Sequence, residues 1–124
     1  MKNFRNLLVW QKAHQLTLSS YRSTARFPNE EIYGLTTQIR RCSASVAANI
    51  AEGCGKRSNN ELLRFLTMAT GSASELEYHF PLARDLGYLA EEQYGNLEHA
   101  VTEVKRMLAG LIRKIESDRL NAEC

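Results

Sequence analysis

Residues 61–84 read ELLRFLTMATGSASELEYHFPLAR. Leu62, Leu66, Ala69, Ala73, Leu76, Phe80 and Ala83 recur in this stretch at alternating steps of four and three. That period places all seven on one stripe of an α-helix, the seam of helices packed at about 20° in a bundle. A second stripe follows at the same steps: Tyr94, Leu97, Val101, Val104, Leu108, Leu111 and Ile115. Upstream, Ile32, Leu35, Ile39, Cys42, Val46 and Ile50 mark another helix, and Leu7, Leu8, Trp10, Leu16, Leu18 and Tyr21 a less regular one.

Punctuation sets the expected ends. Phe27-Pro28 closes the first helix, because a residue ahead of proline avoids the helical region. Asn29 is the expected N-cap of the second, with Glu30 and Glu31 at the positive end of its dipole and Gly53 as its stop. Ser58-Asn59-Asn60-Glu61 reads as a capping box for the third, which stops at Gly87. The helices are therefore expected over about 6–26, 29–52, 59–86 and 90–117, in one domain spanning 1–124. Short links between long helices favour antiparallel neighbours, so the expected fold is an all-α, up-down-up-down four-helix bundle. Pro81 lies inside the third helix, where proline kinks the helix or costs about 3 kcal/mol. Gly71, also inside it, permits close backbone approach or is a tolerated glycine.

Composition narrows the class. The chain has 124 residues, 44% hydrophobic and 24% charged, as in ordinary globular proteins. The runs free of acidic and basic residues, 42–51 and 65–74, fall well short of the roughly 18 residues a membrane span needs. No export signal opens the chain, and three cysteines (Cys42, Cys54 and Cys124) suit reduced thiols in the cytoplasm. No membrane partner is expected.

Residues 42–51, CSASVAANIA, carry no charge over nearly three helical turns. The side opposite the core stripe holds Thr37, Ala44, Ala48 and Ala51. In a lone bundle every helix keeps an outward side, which normally carries charge. Either small residues fill tight space, or another copy of the chain covers this face, and the uncharged back favours the second. The expected subunit contact comprises Thr37, Arg41, Ala44, Ser45, Ala48, Asn49, Ala51 and Glu52. Alongside it, Gln38, Arg41, Ser45, Asn49 and Glu52 form a polar stripe, read as a hydrogen-bonded network that sets helix register or subunit contact.

The net charge of +2 conceals an asymmetry. Residues 1–64 hold ten basic and four acidic groups, while residues 65–124 hold six and ten. Arg40, Arg41, Lys56, Arg57 and Arg64 are the candidate contacts to an RNA or DNA backbone, which a symmetric ring would repeat around its axis. Gly53-Cys54-Gly55-Lys56-Arg57-Ser58 fails as a phosphate-binding loop, because the pattern needs glycine at Ile50 and a hydroxyl residue at Arg57. His14, His79 and His99 lie on three helices, and Glu75 to His79 is a spacing of four with no second copy. No metal, cofactor or enzymatic activity is expected.

The chain resembles a bacterial family of small four-helix proteins named for reading frames in intervening sequences of 23S rRNA genes, also labelled S23 ribosomal protein. The resemblance rests on Val9-Trp10-Gln11-Lys12-Ala13, Phe27-Pro28, Gln38-Ile39-Arg40-Arg41, Asn49-Ile50-Ala51-Glu52-Gly53, Glu75-Leu76-Glu77 and Leu86-Gly87-Tyr88-Leu89. Cys42 stands where the resemblance leads one to expect alanine, and Pro81 is unusual. The resemblance implies a cytosolic homopentamer. It also implies kinship with the basic, pentameric accessory protein of diversity-generating retroelements, which works with a reverse transcriptase and nucleic acid. Two roles follow as expectations: an oligomeric nucleic-acid-binding module, or a structural adaptor that binds a protein partner.

Overall fold

The computed structural model describes residues 3–123. Four helices carry the fold: α1 (Leu8–Thr24), α2 (Leu35–Cys54), α3 (Asn59–Asp85) and α4 (Glu91–Glu123). Short 3-10 turns at Phe4–Asn6 and Asn29–Glu31 precede α1 and α2, and no strand occurs among the described residues. α2 packs most extensively on α3, α3 on α4, α1 on α2, and α1 least extensively on α4. None of these helices is long and apolar enough to cross a membrane.

The seam read from residues 61–84 is the floor of the core. Leu62, Leu66, Ala69, Ala73, Leu76, Phe80 and Ala83 are all buried, and so are Leu97, Val101, Val104, Leu108 and Ile115 of α4. Burying a leucine- or phenylalanine-sized side chain contributes about 1.5–3 kcal/mol, so these stripes dominate the folding energy. α1 departs from expectation. Leu8 and Tyr21 face solvent, and Val9, Ala13, Leu16, Ser20 and Thr24 face the core. The hydroxyl of Thr24 is accommodated there by donating to the Ser20 carbonyl at 2.8 Å.

Both expected ends of α2 are revised, the cap of α3 forms only in part, and α4 runs past 117 to Glu123. Asn29 does not cap α2: residues 29–31 form the 3-10 turn, and α2 begins at Leu35. The cap comes from Glu31, whose carboxylate accepts the Leu35 N–H at 3.0 Å and the Tyr88 hydroxyl at 2.9 Å. Both bonds favour the ionised form and hold the Glu31 carboxyl below its ordinary range. The later start leaves Ile32 in solvent rather than in the core. Gly53 does not end α2, which continues to Cys54. The capping box of α3 is half formed. Ser58 Oγ accepts the Glu61 N–H at 3.1 Å, but the Glu61 carboxylate turns to Arg64 at 2.9 Å.

At the other end of α3 the expected stop holds. Gly87 takes φ +84°, its N–H donates to the Arg84 carbonyl, and the Tyr88 N–H donates to the Ala83 carbonyl. This is the paired closure that a left-handed glycine provides. α3 runs through Pro81 without ending. Gly71 has open space where a Cβ would stand, so it serves no close approach. Gly53 does: a Cβ there would lie 2.9 Å from Phe65 Cβ and 3.1 Å from Leu62 Cδ1.

The two glycines therefore predict opposite effects in urea unfolding. Gly53→Ala should destabilise by about 1–3 kcal/mol through overpacking at the α2–α3 contact. Gly71→Ala should stabilise by about 1 kcal/mol, the helix-propensity difference.

Candidate functional site

The polar stripe on α2 forms the network expected of it in part. Asn49 Nδ2 donates to the Ser45 carbonyl at 2.9 Å and lies 3.0 Å from Ser45 Oγ, which pairs with Ser72 Oγ of α3 at 2.9 Å. Gln38, Arg41 and Glu52 remain exposed at its edge. Thr37 and Ala48 are also exposed, while Ala44, Ser45, Asn49 and Ala51 are half-buried. Tyr21, Thr37, Arg40, Arg41, Ala44, Ser45 and Ala48 line a shallow groove of about 620 Å³. At the N-terminal end of α2, Thr37 Oγ1 donates to the Ile32 carbonyl. There Ile32 is 48% and Tyr33 97% exposed.

The candidate basic residues separate into two groups. Lys56, Arg57 and Arg64 gather at the α2–α3 turn. The Lys56 ammonium lies 5.1 Å and the Arg64 guanidinium 4.6 Å from the centroid of the Phe65 ring, which holds both cations beside one aromatic ring. Arg64 also pairs with Glu61, and each stabilises the other's charged form. Arg40 and Arg41 sit about 24 Å away along α2, at 1.5 Å per residue. Arg40 is engaged in the fold: Nε donates to Thr24 Oγ1 at 2.8 Å, Nη2 to the Tyr21 carbonyl at 3.3 Å, and the guanidinium covers the Tyr21 ring. Arg41 is exposed and faces the grooves on both sides of the stripe.

A cluster absent from the sequence expectations lies where α2 meets α3. Cys42 is buried, and its thiol approaches Glu75, which pairs with His79 Nε2 at 3.1 Å. Burial, with the neighbouring Glu75 carboxylate, pushes the Cys42 thiol up to about 12. The thiol and the imidazole in turn hold the Glu75 carboxyl below its ordinary range. The Glu75–His79 spacing marks half of this cluster, since residues four apart share a helix face. Cys42 joins only through the register of α2 on α3, which no local spacing encodes. The order of the three groups does not suit nucleophilic catalysis. Glu75 stands between thiol and imidazole, and the thiol is held in its protonated, unreactive form.

Fold and surface together define a small four-helix protein whose distinctive chemistry lies on α2 and on its contact with α3. Residues 5–110 match the model of the 23S rRNA-intervening sequence protein family, and the chain belongs to that family. Among solved structures it is similar to a protein of unknown function from the S23 ribosomal protein family of Bacteroides thetaiotaomicron, at 25% identity and a TM-score of 0.77. That match covers 85% of this chain and 98% of the other. No curated protein matches the sequence.

The Cys42 environment predicts the alkaline limb of stability. The folded thiol retains its proton to about pH 12, whereas the unfolded thiol loses it near 9.0. Between these values the unfolded chain binds fewer protons, so stability is fully present below pH 9 and falls as pH rises above it. Urea midpoints measured from pH 8 to 11 should decline less steeply for Cys42→Ala than for the parent chain.

Proposed function

We propose that the chain is a non-enzymatic, cytoplasmic binding module, an antiparallel up-down-up-down bundle that assembles with copies of itself, a pentamer being favoured. The observation that carries this reading is the α2 face. A groove floored by the small uncharged residues Thr37, Ala44, Ser45 and Ala48 and edged by Arg40 and Arg41 lies open to solvent, with the large apolar groups Ile32 and Tyr33 beside its N-terminal end. Small residues let a neighbouring helix approach closely, and exposed apolar groups next to them supply area to bury. The antiparallel arrangement is supported by two cross-contacts: Asn60 of α3 meets Arg119 of α4, and Glu77, later in α3, meets Lys105, earlier in α4.

Nucleic-acid backbone is the favoured ligand of the assembly. Lys56, Arg57 and Arg64 lie at the α2–α3 turn, opposed locally by Glu52 and Glu61. One subunit thus offers a net charge of about +1 there, too little for a polyanion, and repetition around a ring raises the field. Arg40 contributes its charge from a position fixed on α1, where two of its five N–H groups are engaged. The competing reading, an adaptor that binds a protein partner, draws on the exposure of Tyr33.

Light scattering on the purified chain should give five times 14.1 kDa, and Ala48→Arg should reduce it to the monomer mass. A monomeric parent chain at micromolar concentration overturns the assembly reading. Mobility of single-stranded RNA and duplex DNA should shift at low salt and recover as salt rises, since released counterions drive binding. Reversing Lys56, Arg57 and Arg64 to glutamate should abolish the shift, while Arg41→Ala should weaken it. An unshifted probe at low salt, with a protein captured from lysate that survives nuclease, favours the adaptor instead.

A further inference from the structure

We propose that Cys42, Glu75 and His79 form a binding site for a divalent transition-metal ion of the zinc class. One ligating atom from each, the Cys42 sulfur, a Glu75 carboxylate oxygen and a His79 imidazole nitrogen, lie within 4.8 Å of one another. Two of the ligands are a helical turn apart on α3, and the third comes from α2 across the most extensive helix contact in the fold. The frame is therefore rigid where a metal site needs it to be. Closing on an ion at about 2.0–2.3 Å asks for side-chain movements of roughly 1 Å. Glu75, whose side chain is 53% exposed, is free to make them.

The donor set selects the ion. Thiolate with imidazole and carboxylate suits zinc or cobalt, whereas magnesium and calcium take oxygen donors almost exclusively. Charge also closes: a divalent cation, one thiolate, one carboxylate and a neutral imidazole sum to zero, which suits a half-buried position. Binding exchanges the Cys42 S–H bond for a metal–sulfur bond and releases that proton to solvent. The His79 ring has capacity to spare, since its Nδ1 is buried with no partner. A groove of about 130 Å³ lined by Gln38, Arg41, Cys42, Ser45, Ser72 and Glu75 leads to the cluster from solvent. It leaves a fourth position for water or a small anion, and the Arg41 guanidinium at its mouth favours the anion. The site is independent of the nucleic-acid reading and stands without it.

Cobalt(II) added to the chelator-treated full chain tests this. One equivalent per chain should produce the near-ultraviolet charge-transfer band of a thiolate–cobalt bond, and zinc should displace it. Cys42→Ala should remove the band. Glu75→Gln and His79→Asn should each weaken cobalt binding at least about tenfold, while Cys54→Ala and Cys124→Ala leave it unchanged. Zinc should raise the melting temperature of the parent chain but not of Cys42→Ala. Absence of the band, its survival in Cys42→Ala, or unchanged affinity in both Glu75→Gln and His79→Asn overturns the proposal. Circular dichroism establishes that each variant is folded. Glu75→Gln changes an exposed side chain, so its result stands even where a core variant unfolds.

Discussion

At Gly53, α2 has no side chain to hold α3 away, and Phe65 and Leu62 come into direct contact with its backbone. That close approach continues along the pair. Ser45 of α2 bonds to Ser72 of α3 at 2.9 Å further along, and Ala47, Ala69 and Ala73 are all buried. Everything on this side of the molecule depends on the register that results. Ser45 meets Ser72, Cys42 meets Glu75, and Lys56 and Arg64 meet over the same aromatic ring. A slip of one residue would rotate α2 by about 100° and separate each of these pairs.

The stripes on α3 and α4 were legible because they are apolar, long and regular, and burial follows period directly under those conditions. α1 was harder for the same reason inverted. Its inner face includes Ser20 and Thr24, which enter the core by way of local hydrogen bonding, while Leu8 and Tyr21 lie outside. Hydrophobicity alone therefore placed Leu16, Leu7 and Trp10 against the core but misplaced Leu8 and Tyr21. The start of α2 was misread because its cap is tertiary. Glu31 is steadied by Tyr88, which lies 57 residues further along the chain. Gly53 is the clearest case of one residue with two physical uses. Glycine both ends helices and admits neighbours, and its sequence position fits either.

The candidate site was legible to the same degree. The absence of charge on the back of α2 is a local property of ten consecutive residues, so it could be read directly, and the open groove lies where it pointed. The basic residues could be counted but not placed. Arg40 and Arg41 are adjacent in sequence yet point to different work: one clamps α1 to α2, and the other faces solvent. The Cys42 cluster was half visible in the Glu75–His79 spacing, and Cys42 joins it only after two helices have chosen their register. A residue that stands out against a family resemblance, as Cys42 does, is a useful pointer in such cases, since a buried thiol in place of a hydrogen of alanine's methyl group brings new chemistry at the cost of one added heavy atom.

The connection between α2 and α3 is only residues 55–58, and it joins the two helices with the most extensive contact. Closing so short a loop costs little chain entropy, whereas bringing α1 to α4 closes nearly the whole chain. Pairing of α2 with α3 therefore carries a low closure cost and the α1–α4 seam the highest. The exposed Lys12–Glu103 ion pair, at 3.5 Å, spans that seam. The two helices that line the Cys42 cluster are thus also the pair whose meeting asks least of the chain.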